Sequence, residues 1–195
     1  MNVKISDNLQ RAFLCVEVPE SIRSAMEGLQ GDLKAMGYKL GFSRPDLAHI
    51  TLLFLGALTG VSASSFAARL ERLGSTCAPF HFSVGGGGYF GSKRSPNVIW
   101  AGVDIPPGAE VLYRALSGAA RDVGIPVESR LFRPHLTIAR IRHPLPPGAL
   151  TSIMPCINNT RFDVVPVDRV LFMNSQLNGS GPRYTTIQEI YLKGQ

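Results

Sequence analysis

The sequence predicts an α+β protein built as two similar lobes, and three observations carry that reading. Strand-like and helix-like segments alternate along the 195 residues. The order strand, helix, strand is written twice: Val16-Glu17-Val18-Pro19 is echoed by Val103-Asp104-Ile105-Pro106, and Met36-Gly37-Tyr38 by Val123-Gly124-Ile125, both at an offset of 87 (103 − 16). The strand that closes each unit carries His-x-Thr, at His49 and again at His135, an offset of 86 (135 − 49). A repeat of this kind predicts a pseudo-twofold axis that brings both motif strands to one shared cleft, within a single bilobal domain over residues 1–195.

Residues 11–18 (RAFLCVEV) read as the first strand. Pro19 opens a helix over 20–36, whose apolar stripe is Ile22, Met26, Leu29, Leu33 and Met36, with Gly37 as its stop. Residues 48–55 form an apolar strand with the first motif, ended by Gly56, and 62–73 form a second helix. Residues 80–84 are a strand, and Gly85-Gly86-Gly87-Gly88 is expected to be a turn. A phosphate loop is rejected for this run, because it lacks the Gly-Lys-Ser/Thr ending and does not clearly precede a helix. A strand over 97–103 leads to a helix over 108–123, ended by Gly124. The second motif lies in a strand over 136–141, followed by a loop over 144–148. Strands over 167–174 and 184–192 close the chain, joined by a loop around Gly179, Gly181 and Pro182.

Composition bounds the function. Apolar residues are 45% of the chain and charged ones 17%, which suits a soluble folded protein with a sizeable core. Cys15, Cys77 and Cys156 are odd in number and far apart, so they are expected to be free thiols of a reducing cytoplasm. The N-terminus lacks the apolar run of a signal peptide, and no stretch is long enough for a membrane span. The net charge of +6 favours a polyanionic partner such as RNA. Its basic residues are dispersed, with small gatherings at Arg130, Arg133, Arg140 and Arg142 and at Lys93 and Arg94, which predicts a local basic cleft rather than a coating protein.

The paired phrase carries the chemistry. Side chains at i and i+2 of a strand share a face, so each phrase puts an imidazole and a hydroxyl together and two aliphatics behind them. With four histidines and eight threonines in the chain, two His-x-Thr arise by chance about one time in a hundred. His81 and His143 lack the pattern and read as surface or structural. No third Cys, His or carboxylate accompanies the phrases, so a zinc site is not expected and no cofactor is implied. A Ser-His-Asp triad is not expected either, since there is no Gly-x-Ser-x-Gly elbow. Two imidazoles and two hydroxyls suit acid–base cleavage of a phosphodiester, with one neutral ring as base and one imidazolium as acid. Thr51 and Thr137 would hold the non-bridging oxygens.

These residues and their order resemble the 2H phosphoesterase superfamily, and within it the RNA 2′,3′-cyclic phosphodiesterase branch, historically 2′-5′ RNA ligase. The resemblance runs through Arg11-Ala12-Phe13-Leu14, His49-Ile50-Thr51-Leu52-Leu53-Phe54-Leu55-Gly56, Gly88-Tyr89-Phe90-Gly91, Trp100, Phe132 to Arg140, Ser175, Gly181 and Tyr184. It implies two antiparallel sheets around a central cleft with helices outside. It implies metal-independent hydrolysis of RNA 2′,3′-cyclic ends, tRNA fragments or nucleotides included, to 2′-phosphomonoesters, with His49 as proton donor and His135 as proton acceptor. Thr51 and Thr137 would bind the phosphate, and Arg130 and Arg133 would attract the RNA backbone. No membrane and no obligate protein partner is implied. Phe42 and Phe132 read as core packing rather than base stacking. The approach to the first motif, residues 42–48, departs from the family pattern of a Trp near position 42 and Asn-Leu before the histidine. Two other functions remain open: reversible 2′-5′ RNA ligation, and a nucleotide- or RNA-binding module with little catalysis.

Overall fold

The computed structural model describes residues 8–128, 131–179 and 181–194. In chain order the elements are β1 (Asn8–Glu17), α1 (Glu20–Ala35), β2 (Gly41–Phe42), β3 (His49–Thr59), α2 (Gly60–Gly74), β4 (Phe80–Ser92), β5 (Ser95–Val103), α3 (Pro107–Asp122), β6 (His135–Arg140), α4 (Ala149–Asn159), β7 (Val164–Val167), β8 (Arg169–Asn178) and β9 (Gly181–Tyr191). All strand pairs are antiparallel. The strand order is β7-β4-β5-β6-β3-β1-β8-β9, with β2 added on β6. Two antiparallel halves therefore join edge to edge where β3 meets β6.

The helices lie on one face of this sheet. Ile22, Met26, Leu29 and Leu33 of α1, Phe66 and Leu70 of α2, Leu112 and Leu116 of α3, and Ile153 and Ile157 of α4 belong to one buried cluster with Ile50, Ile99, Leu136 and Ile138 of the strands. Their spacing of three and four residues is what an apolar helix stripe requires. Gly37 and Gly124, each at φ +77°, follow α1 and α3 and take the left-handed conformation that stops a helix. On the opposite face a smaller cluster of Phe13, Cys15 and Leu171, with Met173 and Tyr184 against it, sits beside the motif strands.

The elements on either side of the β3–β6 junction can be compared by position. α1 and α3 correspond at an offset of 87 (107 − 20). Glu17 lies opposite His49 on β1 and β3, and Gly102 lies opposite His135 on β5 and β6. The strands that flank the motifs thus correspond at 85 (102 − 17), and a longer β5–α3 link absorbs the two-residue difference.

Several sequence expectations are corrected. The glycine run 85–88 is no turn: it lies inside β4, paired with β5 through Gly87–Ala101 and Gly88–Trp100. A Cβ on Gly88 would stand 2.2 Å from Cη2 of Trp100, so the glycine lets the indole lie across the neighbouring strand. Gly56 does not end its strand: at φ +73° it sits in a register shift within β3. The strand expected over 167–174 is two strands broken at Asp168. Helix α4 has no counterpart among the expected elements; Pro155 inside it obscures a buried stripe of Ala149, Ile153 and Ile157. Phe42 and Phe132 pack against the core as expected, Phe132 stacked on Tyr113 at 4.4 Å. Cys15 and Cys77 are buried and Cys156 half-buried, all three unpaired. Among the described residues no helix is long and apolar enough to cross a membrane.

Candidate active site

The two motifs meet at one antiparallel pair, Ile50 with Leu136. Both side chains are fully buried toward the helices. Alternation then places His49, Thr51, His135 and Thr137 together on the other face. Continuing the antiparallel register by one residue sets His49 across from Thr137 and Thr51 across from His135. Each half-site therefore combines the imidazole of one motif with the hydroxyl of the other.

Each imidazole is anchored in the same way. Nδ1 of His49 donates to the carbonyl of Leu47, and Nδ1 of His135 donates to the carbonyl of Arg133, both at 2.8 Å. A carbonyl can only accept, so Nδ1 carries the proton in each ring and Nε2 is the nitrogen left to exchange one. Aromatic rings wall both histidines. Phe13 lies 5.2 Å from the His49 ring and Tyr184 5.3 Å from it, edge-on. Phe90 lies 4.8 Å from the His135 ring, edge-on, and Trp100 6.3 Å. This half-buried setting lowers both imidazole pKa values, with burial as the leading cause. The carbonyl bonds oppose the shift in each case, and the Arg140 cation adds to it. The charge of His135 depresses His49 further.

The sequence counts Arg140 among the gathering that predicts a local basic cleft, without a place of its own beside the histidines. By strict alternation, five residues beyond His135, its side chain belongs on the helix face. A bulge reverses this. Thr137 pairs with Trp100, and Ala139 pairs with Ile99, so Ile138 is the extra residue. Ala139 is thereby buried, and Arg140 is re-aimed to the histidine face. The same bulge occurs in β3, where Cys15 pairs with Thr51, Leu14 pairs with Leu53, and Leu52 is extra. Residues 49–54 and 135–140 show one burial pattern: half-buried, buried, half-buried, buried, buried, exposed. Phe54 is the counterpart of Arg140. Two adjacent buried residues after each His-x-Thr, Leu52-Leu53 and Ile138-Ala139, are the sequence signal that could have found the bulges.

A buried glutamine fixes one bulge. Nε2 of Gln30 on α1 donates to the carbonyls of Ser43, at 2.8 Å, and Ile138, at 3.2 Å. The backbone N–H of Ser43 also donates to Ile138, at 3.0 Å. The segment leading into the first motif is thus tied to the bulge of the second.

Of the other expected site residues, Arg133 is exposed, and its backbone carbonyl is what anchors His135. Arg130 lies outside the described residues. His81, on β4, and His143 are exposed. Among the described residues no three His, Cys, Asp or Glu side chains gather as a set of metal ligands.

Comparison with known proteins places this geometry. The chain matches the model for LigT-like phosphoesterases over residues 16–100 and 103–184. It is 31% identical over 190 residues to a protein of Aquifex aeolicus named RNA 2′,3′-cyclic phosphodiesterase, covering 94% of this chain and 98% of that one. A protein of the same name from Methanothermobacter thermautotrophicus is 29% identical over 178 residues, covering 91% and 96%. The crystal structure of the Thermus thermophilus protein TT0787 superposes with a TM-score of 0.78 at 28% identity, covering 95% of this chain and all (100%) of that one.

Proposed function

The chain belongs to the LigT-like phosphoesterase family, and on that premise we propose that it hydrolyses RNA 2′,3′-cyclic phosphodiester ends to 2′-phosphomonoesters, without metal, by proton transfer between His49 and His135. The observation that carries this reading is the mirrored anchoring of the two imidazoles, each bound through Nδ1 to a backbone carbonyl on strands whose register sets it across from the other motif's threonine. The names of its relatives from Aquifex aeolicus and Methanothermobacter thermautotrophicus support the substrate class.

Nε2 of His135 takes a proton from water as the water oxygen bonds to phosphorus. The bond from phosphorus to the ribose 3′-oxygen breaks on the opposite side, and Nε2–H of His49 gives that oxygen its proton. Thr51 and Thr137 donate to the non-bridging oxygens and hold the phosphorus in line. Arg140 supplies the cation for the charge that develops there. Exchange with solvent returns the proton to His49 and removes it from His135, so one water is consumed and no cofactor is needed. Burial first, and then the neighbouring His135, lower the His49 pKa. The arriving phosphate anion, an opposite charge beside the ring, restores its proton.

Incubation with 2′,3′-cyclic AMP or a cyclic-ended RNA in EDTA, followed by product identification, tests this. A 2′-phosphate is expected, with turnover lowered at least about 100-fold in His49→Ala and in His135→Ala. Tight binding without turnover would leave a binding module, and a 3′-phosphate product would reverse the assigned leaving oxygen.

A further inference from the structure

The motif side chains come in matched pairs, two histidines and two threonines, yet the reaction they serve is not symmetric. A 2′,3′-cyclic phosphate gives phosphorus two ester oxygens of nearly equal leaving ability, and a twofold site can seat it in either sense. The choice needs a group that the twofold does not repeat. Arg140 has no counterpart, but its charge is felt by both histidines and marks neither side. Phe54, at the matching position, has no hydrogen bond to give. The strand order places β7 and β9 at equivalent outer edges of the two halves. β9 pairs with β8 over its whole length, whereas β7 pairs with β4 only at residues 80–83. Tyr184 of β9 therefore has no counterpart in the second half. It packs with Phe13, Cys15, Leu171 and Met173 and carries the one side-chain oxygen of that cluster. Its ring stands edge-on to His49, at 5.3 Å, and to Phe13, at 5.4 Å. Its hydroxyl has no hydrogen-bond partner among the described residues. Burial holds the phenol above its ordinary value of 10, although the Arg140 cation opposes this, so the hydroxyl keeps its proton and can donate.

Resting on the cyclic phosphodiesterase reading, we propose that Tyr184 determines which ester bond breaks, its hydroxyl donating to the ribose 2′-oxygen and leaving the 3′-oxygen to His49. The water oxygen bonds to phosphorus, the bond from phosphorus to the 3′-oxygen breaks, and His49 gives that oxygen its proton. Tyr184 keeps its own proton throughout. A phenol is a far weaker acid than an imidazolium, so the oxygen it holds does not compete as the leaving group. The 2′- and 3′-oxygens are neighbours on one ribose, and Tyr184 and His49 are neighbours in one half of the cleft. The 2′-oxygen stays on phosphorus, so the same hydrogen bond carries over to the 2′-phosphate product. The contact is made to the sugar, so it acts on a nucleotide whatever its base.

The deciding measurement is product identity rather than rate. 2′,3′-cyclic AMP is hydrolysed by the wild type and by Tyr184→Phe, and adenosine 2′-phosphate and adenosine 3′-phosphate are separated and quantified. The ratio of 2′- to 3′-phosphate is expected to fall about 2- to 13-fold in the variant, the span that one ordinary hydrogen bond covers. A packing role would lower turnover and leave the ratio as it is, so an unchanged ratio overturns the proposal whatever the rate. In calorimetric titration the preference for adenosine 2′-phosphate over adenosine 3′-phosphate should fall by a similar factor. Should the wild type turn over nothing, the phosphodiesterase reading fails, and the titration alone decides the role of Tyr184, an unchanged preference overturning it. Phenylalanine keeps the ring that packs on Phe13 and His49, so the variant is expected to fold, and far-UV circular dichroism verifies it.

Discussion

Ile50 and Leu136 face one another where β3 meets β6, and this pair sits on the pseudo-twofold axis of the sheet. Each is the apolar residue between the histidine and threonine of its motif, so their contact sets the register of all four polar side chains. Both are fully buried. Ile50→Ala is expected to cost about 2–5 kcal/mol in urea unfolding, through lost burial and the cavity left behind, and Ile50→Val about 0.5–1.5 kcal/mol. Ile50→Ala should also lose activity under conditions where it is still folded, since a register slip would face the histidines to the core. Full activity in folded Ile50→Ala would show that the junction does not hold the site.

The two imidazoles predict a shared pH signature. Both are held below the ordinary value of 6.5, mainly by burial. A site needing one protonated and one neutral ring has its optimum between the two free-enzyme pKa values, so the maximum of kcat/KM is expected below pH 6.5. The kcat maximum should lie higher, because bound phosphate favours the charged rings. Stability follows the same groups. Below pH 6.5 the unfolded chain binds more protons at these positions than the folded one, so stability rises with pH through that window and is lost as pH falls. Thermal melts between pH 5 and 7 should show this slope, and it should flatten in the His49→Gln, His135→Gln double variant. An unchanged slope would place its origin elsewhere.

The sequence exposed the repeat, three of the four helices, and both histidine–threonine pairs, because each is written in local spacing. It hid what depends on partners across the sheet. Arg140 reaches the cleft only because Ile138 is an extra residue against β5, which strict alternation passes over and only the apolar doublet Ile138-Ala139 marks. The glycines 85–88 read as a turn because their composition is that of a turn. At Gly88 the actual reason is the indole of Trp100, twelve positions on in the chain (100 − 88) and beside it in space. In α4, Pro155 interrupts the helical pattern of a segment that tertiary packing nonetheless holds, with Ile157 against Gly87. Gln30 reads as one polar residue beside an apolar stripe, and its function depends on two carbonyls, at positions 43 and 138.

Gln30 is 4% exposed and bridges Ser43 and Ile138. Gln30→Met keeps the length of the side chain and removes its two donors. The carbonyl of Ile138 retains its bond from Ser43, whereas the carbonyl of Ser43 loses the amide. A loss of about 1–3 kcal/mol is expected from the unsatisfied carbonyl. The bulge that aims Arg140 loosens as well, so kcat should fall further than a remote variant of equal stability would lower it. An unaltered denaturation midpoint would show that the amide contributes nothing net.

Trp100 is the single tryptophan of the chain, so its fluorescence reports the second half-site alone. Gly88→Ala would put a methyl group 2.2 Å from the indole edge, and the ring must move. The strand behind Gly88 cannot yield without breaking its pairing with β5, so the indole shifts toward the cleft, where it meets water and presses on His135. The expected result is a red-shifted emission, a stability loss of about 1–3 kcal/mol from overpacking, and reduced turnover. Gly85→Ala is the matched control, because a Cβ there meets nothing within 4 Å. Its emission should stay at the wild-type wavelength. If both variants behave alike, the glycines serve backbone freedom in β4 and not the seat of the indole.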